Sequence, residues 1–149
     1  QTRTEVYKES IERAGLSFDP SYIQTGETLE NAGYSEEAGY EAMKQLRQIH
    51  PDVTAVFCAS DVQALGAWKA INEAGLRIPE DIALVGYDNI SMTDFMGLSS
   101  VDQAMGIVGE QAMRLLLDRM SGGNGDRIQE CITPNLVVRR SSNYQRIEE

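Results

Sequence analysis

The chain is poor in the residues on which metal, redox and membrane functions are usually built. Of its 149 residues, 1 is His and 2 are Cys. His50 stands isolated before Pro51, so no zinc-ligand spacing exists. Cys58 and Cys131 each lie in an apolar, strand-like context. They read as two buried free thiols of a reducing compartment, with a disulfide between them left open. Positive charge is scarce too: 13 Lys+Arg against 23 Asp+Glu give a formal net charge of -10. Duplex binding needs clustered cations. No run here supplies them, so this stretch is a poor candidate for touching DNA itself. No apolar run approaches the length that spans a membrane. A Walker lysine, a G-x-S-x-G elbow, paired zinc ligands and a G-x-G-x-x-G turn are all lacking. Cys58 with His50 is the one conceivable nucleophile pair. A cysteine at the end of an apolar strand is expected to be buried and inert, so catalysis is disfavoured and no cofactor is implied. The opening "QTRTEV" has neither an initiator Met nor a leader, a start that reads as a cut inside a longer protein.

What is present suits one domain or one and a half. At 42% hydrophobic the chain can build an ordinary globular core. Thr4 to Ala14 reads as a helix with Tyr7, Ile11 and Ala14 on one stripe, closed by Gly15. "YIQT", Tyr22 to Thr25, reads as a short strand, followed by a Gly/Asn-containing loop. Ser35 is placed to cap a second helix whose Ala42, Met43, Leu46 and Ile49 point inward and which ends before Pro51. "TAVFC", Thr54 to Cys58, is apolar throughout, as in a parallel-sheet strand covered on both faces. Ser60 caps a third helix, Val62 to Ala74, closed by Gly75. Ile82 to Gly86 forms the next strand. This alternation defines α/β units. "YDNISMTDFMGLSS" reads as a long connection with one helical turn at most. Ile107 to Met120 is an amphipathic helix, "SGGNGD" a turn, and "CITPNLVVRRS" two strand pieces interrupted at Pro134.

Two strands run into polar tips: "AVFCASD" into Ser60 and Asp61, and "ALVGYDN" into Asp88 and Asn89. In open parallel sheets ligands bind beyond the carboxyl ends of the strands. A carboxylate there accepts hydrogen bonds from vicinal hydroxyls or ring N–H groups. Residues alone leave alternatives open. Asp61 either faces a ligand or serves the helix dipole, and Asp88-Asn89 either binds or makes an Asx-turn.

The block "TAVFCASDVQALGAWKAINEAGLRIPEDIALVGYDN" closely resembles the core of the LacI/GalR family of transcription regulators, in which a strand, an Asn/Ser-Asp cap, "ALG" and "GLxxPxDIxxVGYDD/N" follow one another. "GYEAMKQL" upstream and "LVVRRSS" downstream extend the likeness over essentially the whole chain. The resemblance implies an α/β fold, a Rossmann-like parallel-sheet lobe of the periplasmic-binding-protein-like type, lacking most of the first of two lobes. Residues 1–100 would be the second lobe, 101–128 a crossover and a helix of the first lobe, and 129–149 the return strands and tail. The DNA-binding helices and the central strand expected before Arg3 would lie outside the chain. Ligand-binding residues carried over by the resemblance are Arg3, Tyr34 (with Leu29 as the alternative across a longer loop), Ser60, Asp88, Gln103 and Met105. Ser60 replaces an Asn common in the family and removes an amide donor. Leu65, Trp68 and Phe95 match positions of a homodimer interface, although Trp68 packing within its own lobe is an equal alternative. "GLSSV" replaces the family's "PPLTTV", so the connection from Asp94 to Ser100 is expected to differ.

The implied function is the sensing and dimerising part of a cytoplasmic regulator. A small effector, a sugar or sugar-like polyol with a nucleobase as alternative, would modulate DNA binding by an N-terminal helix-turn-helix. The runner-up is a periplasmic sugar-binding protein of a transport system.

Overall fold

A computed structural model describes residues 3–25, 33–122 and 129–143. The order is helix α1 (Arg3–Arg13), a 3-10 turn (Pro20–Tyr22), α2 (Glu36–Ile49), β1 (Ala55–Phe57), α3 (Asp61–Glu73), β2 (Ala83–Tyr87), α4 (Ser91–Met96), β3 (Ser99–Asp102), α5 (Met105–Met120), β4 (Asn135–Val137) and a 3-10 turn (Arg140–Ser142). The strands lie in one sheet in the order β1-β2-β3-β4. The first three are parallel, with Phe57 opposite Val85 and Tyr87 opposite Val101; β4 runs antiparallel to β3, with Leu136 opposite Val101.

The core lies between the sheet and the α2–α3 pair. Ser35 caps α2 by accepting from Ala38 N, and Glu36 and Glu37 in the first turn favour its positive end. α2 buries Ala38, Gly39, Met43 and Leu46; α3 buries Ala64, Gly66, Ala67, Ala70 and Ile71. Met43, Leu46, Ala67, Ile71, Ile82, Leu84 and Leu98 form one apolar cluster. Two glycines allow the close helix approach. A Cβ at Gly39 would run into the main chain of Gln63, and one at Gly66 into that of Glu36 and Tyr40.

Six expectations need correction. Ile49 of α2 points outward, and β1 is exposed at Ala55 and Phe57 rather than covered on both faces, because it is the edge strand of the sheet. "YIQT" is not a strand. Asp19 accepts from Ser21 N and Oγ, and Pro20 begins a 3-10 turn that ends at Tyr22. The helical turn expected in the connection after β2 is present but longer, the six-residue helix α4, which Gly97 closes in the left-handed region at φ 69. "SSVD" is a third parallel strand with Ser99 and Ser100 fully buried. It has no apolar pattern because its hydroxyls bond inside the protein: Ser100 Oγ donates to Asp61, and Ser99 Oγ to Arg139 O. Cys131 is exposed, not buried. The sheet takes up the chain only after Pro134, and Gln129 to Pro134 instead borders a cavity against α5.

Neither α1 nor α5 buries a single residue. The apolar set expected on α5 is correct in identity but open, with Ile107, Met113, Leu116, Leu117 and Met120 all exposed. The outer edge of β1 borders a cavity of about 730 Å³ whose far side includes Tyr7, Tyr22, Ile23, Gln24 and Thr25.

Candidate functional site

The site grows from the carboxyl ends of β1, β2 and β3. Ser60 is buried and its hydroxyl accepts from Gln63 N at 3.2 Å, so it caps α3. Asp61, the next residue, is fully buried. Its Oδ1 accepts from Ser100 Oγ at 2.6 Å and its Oδ2 from Ile90 N at 2.9 Å. This acid is a tether joining α3, β3 and the turn after β2. It also explains the glycine in "LVGYDN": a Cβ at Gly86 would collide with the Asp61 carboxylate.

Past Gly86 the chain turns sharply. Asp88 has φ 116 and Asn89 φ 55, both left-handed and both in residue types that tolerate that region better than most. Asp88 N still donates to Val101 O at 2.9 Å, continuing the β2–β3 ladder. Its Oδ1 accepts from Gln103 Nε2 at 2.6 Å. Burial pushes the Asp88 carboxyl above the usual carboxylate range, and nearby Asp61 adds to this; the Gln103 hydrogen bond and the charge of Arg3 work against the shift. A half-buried acid held partly against its own charge suits a ligand that brings hydrogen-bond donors.

Arg3 opens α1. Its guanidinium lies 4.1 Å over the ring of Tyr87, the last residue of β2, and its Nη1 donates to Ala59 O at 2.6 Å. Tyr87 in turn meets Phe57 edge-on at 6.4 Å. The aromatic pair and the Ala59 carbonyl thus fix the cation at the same rim as Asp88.

The structure brings Arg3, Asp88 and Gln103 together. The carried-over residues otherwise divide between two cavities, and neither Asp88 nor the buried Ser60 lines either of them. Arg3 and the exposed Tyr34 line the 730 Å³ cavity. Gln103 and Met105, the latter exposed at the start of α5, line a second cavity of about 520 Å³ with Tyr87, Gln111 and Ile132. Leu29 lies outside the described residues, as do 26–32 generally and most of the turn after Met120. Residue reasoning put Asn89 at the strand tip as part of a possible turn, but missed Tyr87 as the seat of Arg3, and Asp102 and Arg139 as partners that frame the Asp88 turn. The signal was adjacency: Tyr87 and Asp102 each flank a predicted ligand residue.

Cys58 and His50 do not form a reactive pair. Burial, reinforced by Asp61, pushes the Cys58 thiol up to about 12. His50 Nε2 is engaged by Ser21 Oγ at 2.8 Å and its ring stacks on Tyr22. Among the described residues there is no group of three His, Cys, Asp or Glu side chains that could hold a metal ion.

A mainly parallel sheet with helices, and a polar rim at the strand ends, is the arrangement of a small-molecule-binding α/β domain. The chain belongs to the periplasmic binding protein-like domain family, whose profile matches residues 1–142. Within it, the chain is similar to the corresponding portion of LacI/GalR-type transcription regulators. It is 39% identical over 145 residues to the HTH-type transcriptional repressor CytR of Escherichia coli K12, covering 94% of this chain and 40% of the relative. It is 37% identical over 143 residues to the repressor PurR of Pasteurella multocida, covering 95% and 41%. Among solved structures, the complex of the transcriptional regulator CelR with cellobiose superposes with a TM-score of 0.83 at 32% identity, covering 94% of this chain and 42% of that one. A LacI-family regulator from Corynebacterium glutamicum does so with 0.80 at 30%, covering 96% and 53%. The chain therefore spans about two-fifths of the length of these curated relatives. Those relatives are transcription regulators, not enzymes, and no helix among the described residues is long and apolar enough to cross a membrane.

Proposed function

We propose that this chain is the ligand-sensing and dimerising part of a LacI/GalR-type transcriptional regulator of the cytoplasm, without catalytic activity. Residues 1–100 form its second lobe, 101–128 reach into the first lobe, and 129–149 return. A small effector, a sugar or sugar-like polyol, binds between the lobes. Binding shifts a two-state equilibrium that a separate helix-turn-helix domain reads out as DNA affinity. The observation that carries this reading is the carboxylate of Asp88, presented on a left-handed turn with Gln103 on one oxygen and Arg3 beside it. A planar cation and a carboxylate at one rim match a ligand rich in donors and acceptors. In this reading Tyr34 supplies an apolar wall and Met105 an apolar contact, while Ser60, its hydroxyl committed to capping α3, offers the ligand no amide donor. The cellobiose bound by the CelR relative is a ligand of this chemistry.

The test is calorimetric titration of the full-length protein with cellobiose, lactose and purine nucleosides. Asp88→Ala and Arg3→Ala should each weaken the bound compound by about 10- to 100-fold, the loss of one or two charge-assisted hydrogen bonds. Unchanged affinity in both variants refutes the site. Binding of a nucleoside with no sugar bound would move the ligand class from polyol to nucleobase.

A further inference from the structure

The registry of β2 with β3 poses an electrostatic problem at the site. Tyr87 lies opposite Val101 in the last regular pair. Continued by one residue, that register would set the Asp88 carboxylate opposite that of Asp102. The left-handed backbone at Asp88 and Asn89 avoids this by crossing the pairing. Asp88 Oδ1 accepts from Gln103 Nε2 at 2.6 Å, while Asn89 Nδ2 donates to Asp102 Oδ2 at 3.2 Å. Two neighbouring dipeptides, Asp88-Asn89 and Asp102-Gln103, are thus joined by a double clasp.

The second half of the clasp is the better anchored. Arg139 Nη2 donates to Asn89 Oδ1 at 3.0 Å, which leaves the amide nitrogen aimed at Asp102; Thr93 Oγ1, whose one proton goes to Ile90 O at 2.7 Å, stands 3.2 Å from the same oxygen. Arg139, only 16% exposed, is itself held by the Leu98 carbonyl and by Asp94. Asn89 N donates to Ser100 Oγ, which donates to the buried Asp61. On the other side, Asp102 Oδ1 accepts from Ala104 N at 2.8 Å and so fixes the left-handed entry into α5 at φ 53. Asn89 therefore touches β3, α4 and the C-terminal segment, and through Asp102 the start of α5.

We propose that Asn89 and Asp102 are the positioning pair of the ligand site: their hydrogen bond sets the spacing at which Asp88 and Gln103 meet a ligand and links that spacing to the turn from β3 into α5. The proposal rests on the ligand site put forward above. It assigns to the pair no contact with the ligand itself.

The test exploits polarity. Asn89→Asp keeps the bond accepted from Arg139 but replaces the donor facing Asp102 with a second carboxylate oxygen. Asp102→Asn leaves two amides facing each other. In the double variant the amide introduced at position 102 donates to the carboxylate introduced at position 89, and its carbonyl still accepts from Ala104 N. In the full-length protein, each single variant should speed exchange of the Ala104 amide and the Gln103 side-chain amide at least 10-fold, with the Leu84 amide unchanged. Each should also weaken the tightest-binding compound of the sugar and nucleoside panel at least 10-fold. The double variant should return both readings to within about threefold of wild type. Unchanged exchange in the single variants, or a double variant no better than they are, overturns the clasp. Faster exchange with unchanged affinity overturns its positioning role. If wild type binds nothing in the panel, the ligand assignment falls, and the Gln103 and Ala104 readings alone decide whether the pair positions Asp88.

Discussion

Asp61 and Asp88 sit at neighbouring strand ends in different surroundings. Asp61 is sealed by a hydroxyl and a main-chain N–H, which leaves its oxygens committed to the protein. Asp88 is half-buried, with one oxygen against Gln103 and Arg3 close by. Its raised pKa has two consequences. Ionised Asp88 costs the ligand-free fold stability at any pH above its unfolded value, so Asp88→Asn should raise the thermal midpoint in the absence of ligand. Ligand donors prefer the carboxylate, so affinity is full above the raised folded pKa and is lost as pH falls through it. Titrations across mildly acidic pH should show affinity dropping about tenfold per pH unit below the Asp88 midpoint, starting at a higher pH than an ordinary carboxylate would require. Asp88→Asn should flatten that profile. A wild-type profile that stays flat through the whole ordinary carboxylate range would exclude Asp88 as the ionised partner.

At the scale of elements, the α2–α3 contact is where the sequence is least tolerant. Gly39 and Gly66 each lie against the main chain of the other helix, which cannot rotate away as a side-chain tip would. Gly66→Ala should therefore destabilise by about 2–3 kcal/mol, the upper range of overpacking, in urea unfolding. Gly109 on α5 offers the contrast. Nothing lies within 4 Å of a Cβ there, and Gly109→Ala should not destabilise, since alanine gains up to about 1 kcal/mol over glycine in an open helix position. Equal effects in both variants would mean that the close approach of α2 and α3 does not set the cost at Gly66. β3 makes the complementary point. Ser99 and Ser100 pass inside because each hydroxyl replaces a water partner with one inside the protein.

At the scale of the molecule, the order is concentrated in α2, α3 and the parallel strands, while α1 and α5 lie with their apolar residues open. Exposed apolar area of this kind invites association. Of the proposed dimer residues, Trp68 packs in part against its own core, Leu65 is half-buried, and Phe95 is 86% exposed on α4. Phe95 is therefore the position to change. Phe95→Glu in the full-length protein should convert a dimer to a monomer by light scattering without moving the thermal midpoint. A dimer that persists would place the interface elsewhere.

How far the sequence reached depended on whether a feature is periodic or relational. Helices α2 and α3, strands β1 and β2 and their Ser35 and Ser60 caps were legible because apolar spacing and capping chemistry are local. The α/β class followed from their alternation, and the motif around "VGYDN" pointed to Asp88. Four things were decided only by tertiary structure. β3 is a strand because its serines find partners on α3 and the C-terminal segment. Cys131 is exposed because the chain rejoins the sheet only beyond Pro134. Asp61 is a tether because Gly86 leaves room for it. The Asp88 turn is framed as it is because Asn89, Asp102 and Arg139, distant from one another in sequence, meet there. Periodicity states which face of an element is apolar; it carries no information about which distant polar group will meet another. That pairing is settled only when the strands lie side by side.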